Sequence, residues 1–209
     1  MIRLLIADDH ALFRAGLRKI LLETGDMDII DEAGDGHEIL EKLGQAQYDL
    51  ILLDISMPGQ SGVEILKQIK SIKPEQAVLV LSMHPESQYA MRVLRAGASG
   101  YIAKDRSPEE LISAVKKVAN GGKYISAAFS EELVSRLGSR VTAPRHEQLS
   151  DREYQVMIMI ATGKTLREIA GDLALSPKTI STYRSRVHAK MNTRTDAELT
   201  GYVIQRNLL

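Results

Sequence analysis

The chain has 209 residues, enough for one medium and one small domain, and its 27 basic and 27 acidic residues leave no overall charge to favour a nucleic acid or a membrane. The lack of cysteine excludes disulfides, cysteine nucleophiles and thiolate metal sites. No stretch approaches the roughly 18 apolar residues of a membrane span, and "MIRLLIADDH" meets acids too early for a signal peptide, so a cytoplasmic location is expected.

Along the chain, Ile2 to Ala7, Met27 to Ala33, Tyr48 to Asp54, Ala77 to Ser82 and Gly100 to Ala103 are apolar runs of strand length. Between them, residues such as Phe13, Leu17, Ile20 and Leu21, and later Leu111, Val115 and Val118, recur at helical spacing. Helix starts are marked by Ser61 with Glu64, a capping-box pair, and by Ser107, Pro108 and Glu110, which supply an N-cap, a first-turn proline and an acid at the third position. Strands alternating with helices predict an α/β fold over residues 1–122: a five-stranded parallel, doubly wound, flavodoxin-like sheet with helices on both faces.

Asn120-Gly121-Gly122 reads as a helix stop. Residues 123–148 then hold one short amphipathic helix, Ala127 to Leu137, and the aperiodic "GSRVTAPRHEQ", which reads as a linker. From residue 149 to 209 the strands vanish. Ser150 with Glu153, Thr165 with Glu168, Thr195 with Glu198, and Ser176-Pro177 mark the starts of four short helices, predicting a smaller all-α domain. Charge separates the two parts: Met1 to Tyr124 carries 15 basic and 18 acidic residues, whereas Leu149 to Leu209 carries 9 and 6. Two different tasks are implied.

In the first part, "LILLD" ends on Asp54 before a loop with Pro58 and Gly59, and Asp8 and Asp9 follow the first strand. In a right-handed parallel sheet beginning 2-1-3 these acids meet at the carboxyl edge, where such sheets bind ligands. Crowded carboxylates repel, and a hard divalent cation with oxygen ligands relieves them; Mg2+ suits phosphoryl chemistry. Ser82 and Lys104 close the fourth and fifth strands at the same edge and supply a hydroxyl and an ammonium for phosphoryl oxygens. Each residue alone is as well explained as a cap or a solvated charge; the five together point to Asp54 as a phosphate acceptor.

"ADDH", "LLDISMPGQSG", Leu81-Ser82 and "GASGYIAKD" resemble the receiver domain of two-component response regulators. That resemblance implies that Asp54 takes phosphate from a sensor histidine kinase. It further implies that Asp9, Asp54 and the backbone carbonyl of Ser56 bind Mg2+, with Asp8 supporting the ion through water. Ser82 and Lys104 would bind the phosphoryl group, and Tyr101 would be the aromatic switch that turns inward when Ser82 moves. Asp105 departs from the pattern, since many receivers have a proline there.

In the second part, Thr165 to Met191 lays out a helix, a tight turn at Ala174 to Ser176 and a second helix from Pro177. Between Ser176 and Met191 stand Lys178, Arg184, Arg186 and Lys190 and no acid, which suits a phosphate backbone. Ile180 and Val187 can face a core while Ser181, Thr182 and Ser185 share the outer face. "LSPKTISTYRSRVHAKM" resembles the helix-turn-helix of the LuxR/NarL/FixJ class. By that resemblance the second helix enters the major groove of double-stranded DNA, with Ser181, Thr182 and Ser185 toward bases and Lys178, Tyr183, Arg184 and Arg186 toward phosphates. The last helix would pair DNA-binding domains.

The expectation is a response regulator acting as a phosphorylation-controlled transcription factor, a homodimer when phosphorylated or DNA-bound, with no conventional turnover activity. The rivals are a magnesium-dependent phosphatase, which would want a second acid where Ser56 stands, and a receiver whose helical end binds protein.

Overall fold

The computed structural model describes residues 1–57, 60–138, 144–206 and 208–209, so Pro58, Gly59 and the middle of the expected linker lie outside the described residues. Contacts divide the chain into two compact units, Met1–Ser130 and Glu131–Leu209.

In the first unit, strands β1 (Ile2–Ala7), β2 (Met27–Ala33), β3 (Leu50–Asp54), β4 (Val78–Ser82) and β5 (Gly100–Ala103) form one parallel sheet in the order β2-β1-β3-β4-β5. Helices α1 (Ala11–Leu22), α2 (Gly36–Gln45), α3 (Gly62–Ile72), α4 (Glu86–Arg95) and α5 (Pro108–Ala119) connect and follow the strands. Strands β3 and β4 are buried at every residue, as their unbroken apolar runs require. Alternate side chains split between two faces. Leu4, Ile6, Leu50, Leu52, Leu79 and Ile102 pack with Leu17 and Leu21 of α1 and Leu111, Val115 and Val118 of α5. Each such aliphatic contributes about 1.5 to 3 kcal/mol when fully buried.

The caps behave largely as the sequence predicts. Ser61 and Glu64 close a capping box on α3, and the Ser107 side chain accepts from the Glu110 amide at the start of α5. Helix α5 stops at Asn120, where Gly121 takes a left-handed φ of +81°.

Beyond α5 the chain returns to the sheet. The Tyr101 amide donates to the Tyr124 carbonyl at 3.0 Å, the Tyr124 amide donates to the Ser99 carbonyl at 3.0 Å, and Glu86 of α4 accepts from the Ser126 amide at 2.9 Å. Tyr124 is thereby fastened to β5 and Ser126 to α4.

The described part of the second unit begins on α6 (Ala127–Gly138) and continues through a 3-10 turn (Arg145–Gln148), α7 (Asp151–Ala161), α8 (Leu166–Asp172), α9 (Pro177–Met191) and α10 (Asp196–Gln205). Tyr154, Met157, Ile169, Ile180, Val187 and Leu199 form its interior. Capping boxes close on α7 and α8, and Ser176 caps α9. The Thr195 box differs: its side chain accepts from the Glu198 amide, but the Glu198 carboxylate reaches one residue further back, to the Arg194 amide at 2.7 Å. No described helix is long and apolar enough to cross a membrane.

Candidate functional site

Placing β1 beside β3 brings Asp8 and Asp54, both with no exposed surface, to one edge of the sheet. Asp9 and His10 continue from β1, and donor atoms of Asp8, Asp9, His10 and Asp54 all lie within 4.8 Å of one another. Three carboxylates so close form a donor set that could hold a divalent cation, and hard oxygen ligands suit magnesium or calcium better than softer ions. Sequence reasoning passed over His10, whose Nδ1 sits 2.9 Å from an Asp9 oxygen; its only signal was adjacency to the acids.

The Lys104 ammonium, entering from the end of β5, lies 2.6 Å from Asp8 Oδ2 and 2.7 Å from Asp54 Oδ2. It also stands 4.5 Å above the Phe13 ring. Burial pushes the Asp54 carboxyl above the usual carboxylate range, against the pull of Lys104 and of the Ser56 amide, which donates to Asp54 Oδ1 at 2.9 Å. Burial also works against the Lys104 charge, but its attraction and hydrogen bonds to Asp54 and Asp8 win, and its pKa lies above the ordinary lysine value. One ammonium thus serves two acids.

Ser82 and Tyr101 are both fully buried, and the backbone of one residue, His84, lies between them. The His84 amide donates to Ser82 Oγ at 3.0 Å, while the Tyr101 hydroxyl donates to the His84 carbonyl at 2.6 Å. Ser82 and Tyr101 thus bond to the two sides of one residue, Ser82 to the amide that enters His84 and Tyr101 to the carbonyl that leaves it. Burial lowers the His84 pKa, and its ring packs against Tyr89 with centroids 4.9 Å apart.

In the second unit, α8 and α9 make the expected helix-turn-helix, turning at Ala174 with φ +52°. Ile180 and Val187 are buried, whereas Lys178, Ser181, Thr182, Ser185 and Arg186 are exposed and Tyr183 is half-buried. The Thr182 and Ser185 hydroxyls donate to carbonyls four residues back, Lys178 at 3.1 Å and Ser181 at 3.0 Å, so they turn acceptor lone pairs outward. Lys190 is engaged by Glu153 of α7 at 2.6 Å. Arg184, expected to face phosphate, instead forms a two-pronged pair with Asp196 at the start of α10.

Residues 4–116 match the family model of the response regulator receiver domain, and residues 147–203 match that of bacterial regulatory proteins of the luxR family. The chain belongs to the response regulators. Response regulator UvrY of Escherichia coli K12 is 35% identical over 209 residues, covering 100% of this chain and 96% of the relative. Oxygen regulatory protein NreC of Staphylococcus carnosus is 36% identical over 214 residues, covering 99% of each. Among solved structures, RcsB of Salmonella enterica serovar Typhimurium bound to promoter P1flhDC in the presence of the phosphomimetic BeF3- is similar at 27% identity. That likeness has a TM-score of 0.67 and covers 97% of this chain and 98% of that one. As a response regulator, the chain carries a receiver domain followed by a LuxR-type DNA-binding domain, and the expected class, sheet architecture and helical second domain hold.

Proposed function

We propose that Asp54 accepts a phosphoryl group from a sensor histidine kinase and that this modification drives the helix-turn-helix onto double-stranded DNA. The observation that supports this reading best is the Lys104 ammonium seated between buried Asp8 and Asp54, beside Asp9, at the sheet edge. Asp8, Asp9, Asp54 and the Ser56 carbonyl would hold Mg2+, which when bound neutralises charge on the transferring phosphoryl group.

The Ser56 amide fixes one Asp54 oxygen, so the carboxylate is oriented before a donor arrives. An Asp54 oxygen then bonds to phosphorus as the phosphorus–nitrogen bond of the kinase phosphohistidine breaks, and the imidazole leaves with that electron pair. Lys104 follows the negative charge onto the phosphoryl oxygens, and the Ser82 hydroxyl donates to another of them. Through the backbone of His84, whose amide bonds Ser82 and whose carbonyl accepts from the Tyr101 hydroxyl, the shift of Ser82 reaches Tyr101, whose amide is bonded to Tyr124 at the start of the interdomain segment.

The output is a cytoplasmic homodimer in which α9 lies in the major groove. Ser181, Thr182 and Ser185 face base edges, and Lys178, Tyr183 and Arg186 face phosphates. The receiver catalyses its own modification and has no other turnover.

Intact mass spectrometry after acetyl phosphate and magnesium tests the acceptor. Wild type gains one phosphoryl group and Asp54→Ala gains none; an unchanged wild-type mass, or an equal gain in the variant, overturns the reading.

A further inference from the structure

We infer that Arg184 is a positioning residue: with His188 it clamps Asp196, so that α10 is locked to the DNA-reading helix, and it does not serve as a phosphate anchor. This goes beyond the proposed placement of α9 in the groove and rests on it.

Arg184 Nε donates to Asp196 Oδ1 at 2.8 Å and an Arg184 Nη donates to Asp196 Oδ2 at 2.9 Å, the paired geometry that a guanidinium fork makes with a carboxylate. One turn further along the same face of α9, His188 Nε2 lies 2.9 Å from Asp196 Oδ1 and its Nδ1 lies 2.8 Å from Thr193 Oγ1. Two side chains four residues apart thus converge on one carboxylate and on the turn that leads to it. That turn passes through Asn192 at φ +54° and ends on Thr195, which caps α10 through the Glu198 amide.

Asp196 is the first residue of α10, where an acid also complements the helix dipole. The hydrogen bond from Arg184 holds its carboxyl below the usual range, and the same bond raises the Arg184 pKa. By contrast, Lys178 and Arg186 are exposed and make no ion pair among the described residues, so they are the cations of α9 left for phosphate. A phosphate contact by Arg184 would have to break a fork that is already satisfied.

The two roles predict opposite results. If Arg184 anchors a phosphate, neutralising Asp196 frees it and DNA binding strengthens. If Arg184 is a clamp, the same change loosens α10 and binding weakens.

The test uses the full chain and a duplex selected from random-sequence DNA by the wild-type protein, with affinity measured across a salt series. Asp196→Asn and Arg184→Ala each lose on the order of tenfold in affinity, and the double variant loses no more than either alone. The slope of log affinity against log salt stays at the wild-type value for both. Arg184→Lys, which keeps the charge and loses the fork, falls with Arg184→Ala. This last variant decides the question even if Asp196→Asn melts early in circular dichroism.

The inference is overturned if Asp196→Asn binds as well as wild type or better, if Arg184→Lys retains wild-type affinity, or if Arg184→Ala lowers the slope by about 0.9, the loss of one phosphate contact. Absence of salt-dependent binding by the wild type would overturn the placement of α9 in the groove, and this inference with it.

Discussion

Lys104 and Asp54 are joined at 2.7 Å across the carboxyl edge of the receiver sheet, although they are 50 residues apart in sequence. The same ammonium holds Asp8, so a single buried cation offsets two buried acids. Removing one partner of such a set leaves charge in a poorly solvating interior, which costs more than the set itself contributes. Lys104→Met is therefore expected to lose about 3 kcal/mol in urea unfolding with EDTA present. Magnesium returns part of the loss by supplying the missing positive charge. Equal stability of the two proteins in EDTA would refute the pairing.

His84 carries a pH prediction. Its folded pKa lies below the ordinary value of 6.5 because burial penalises the imidazolium. Between the depressed value and 6.5 the unfolded chain binds more protons than the folded one, so stability falls as pH drops through that window and is fully present above it. His84→Asn removes this contribution. The difference in melting temperature between wild type and variant should narrow below the ordinary histidine pKa as the wild type weakens; a constant difference across that range contradicts the burial effect.

Gly62 starts α3 directly after the loop that carries Ser56. A Cβ placed there would lie 2.3 Å from Ile55 Cα and 2.9 Å from the Ile55 carbonyl oxygen, both backbone atoms that cannot swing away. Gly62→Ala should cost about 2 kcal/mol in equilibrium unfolding. It should also slow phosphorylation, because Ile55 leads into the amide that orients Asp54. Wild-type stability would show that this loop yields more readily than its contacts indicate.

Lys178 and Arg186 are the exposed cations of α9 outside any ion pair among the described residues. Replacing either with alanine should lower the salt slope of DNA binding by about 0.9 and weaken binding alike on different sequences. Ser181→Ala should leave the slope intact and alter which sequences are preferred. A change in slope with Ser181 and none with Lys178 would reverse their roles.

What the sequence reveals follows from the range of each interaction. Strands β3 and β4 and the caps at Ser61, Ser107, Ser150 and Thr165 are legible because an aliphatic run or a three-residue spacing is self-contained. The meeting of Asp8, Asp54 and Lys104 is legible only through topology: once the sheet order is set, strand ends must gather. The Arg184–Asp196 fork was not legible, since helix spacing gives a face but not the direction taken after the turn at Asn192. Nor was the return of Tyr124 to β5, because one residue paired by its backbone leaves no pattern in side chains. His10 leaves no such signal, because nothing local separates an imidazole that joins an acid cluster from one that merely precedes a helix.

The central claim is that modification of Asp54 controls DNA binding, and the most direct measurement is the affinity of the full chain for a selected duplex before and after treatment with acetyl phosphate and magnesium, for wild type and Asp54→Ala side by side. Binding by the wild type should tighten on the order of tenfold, a usual size of coupling between two sites, while Asp54→Ala stays at its untreated value. Equal affinity of treated and untreated wild type, or the same tightening in Asp54→Ala, would contradict it.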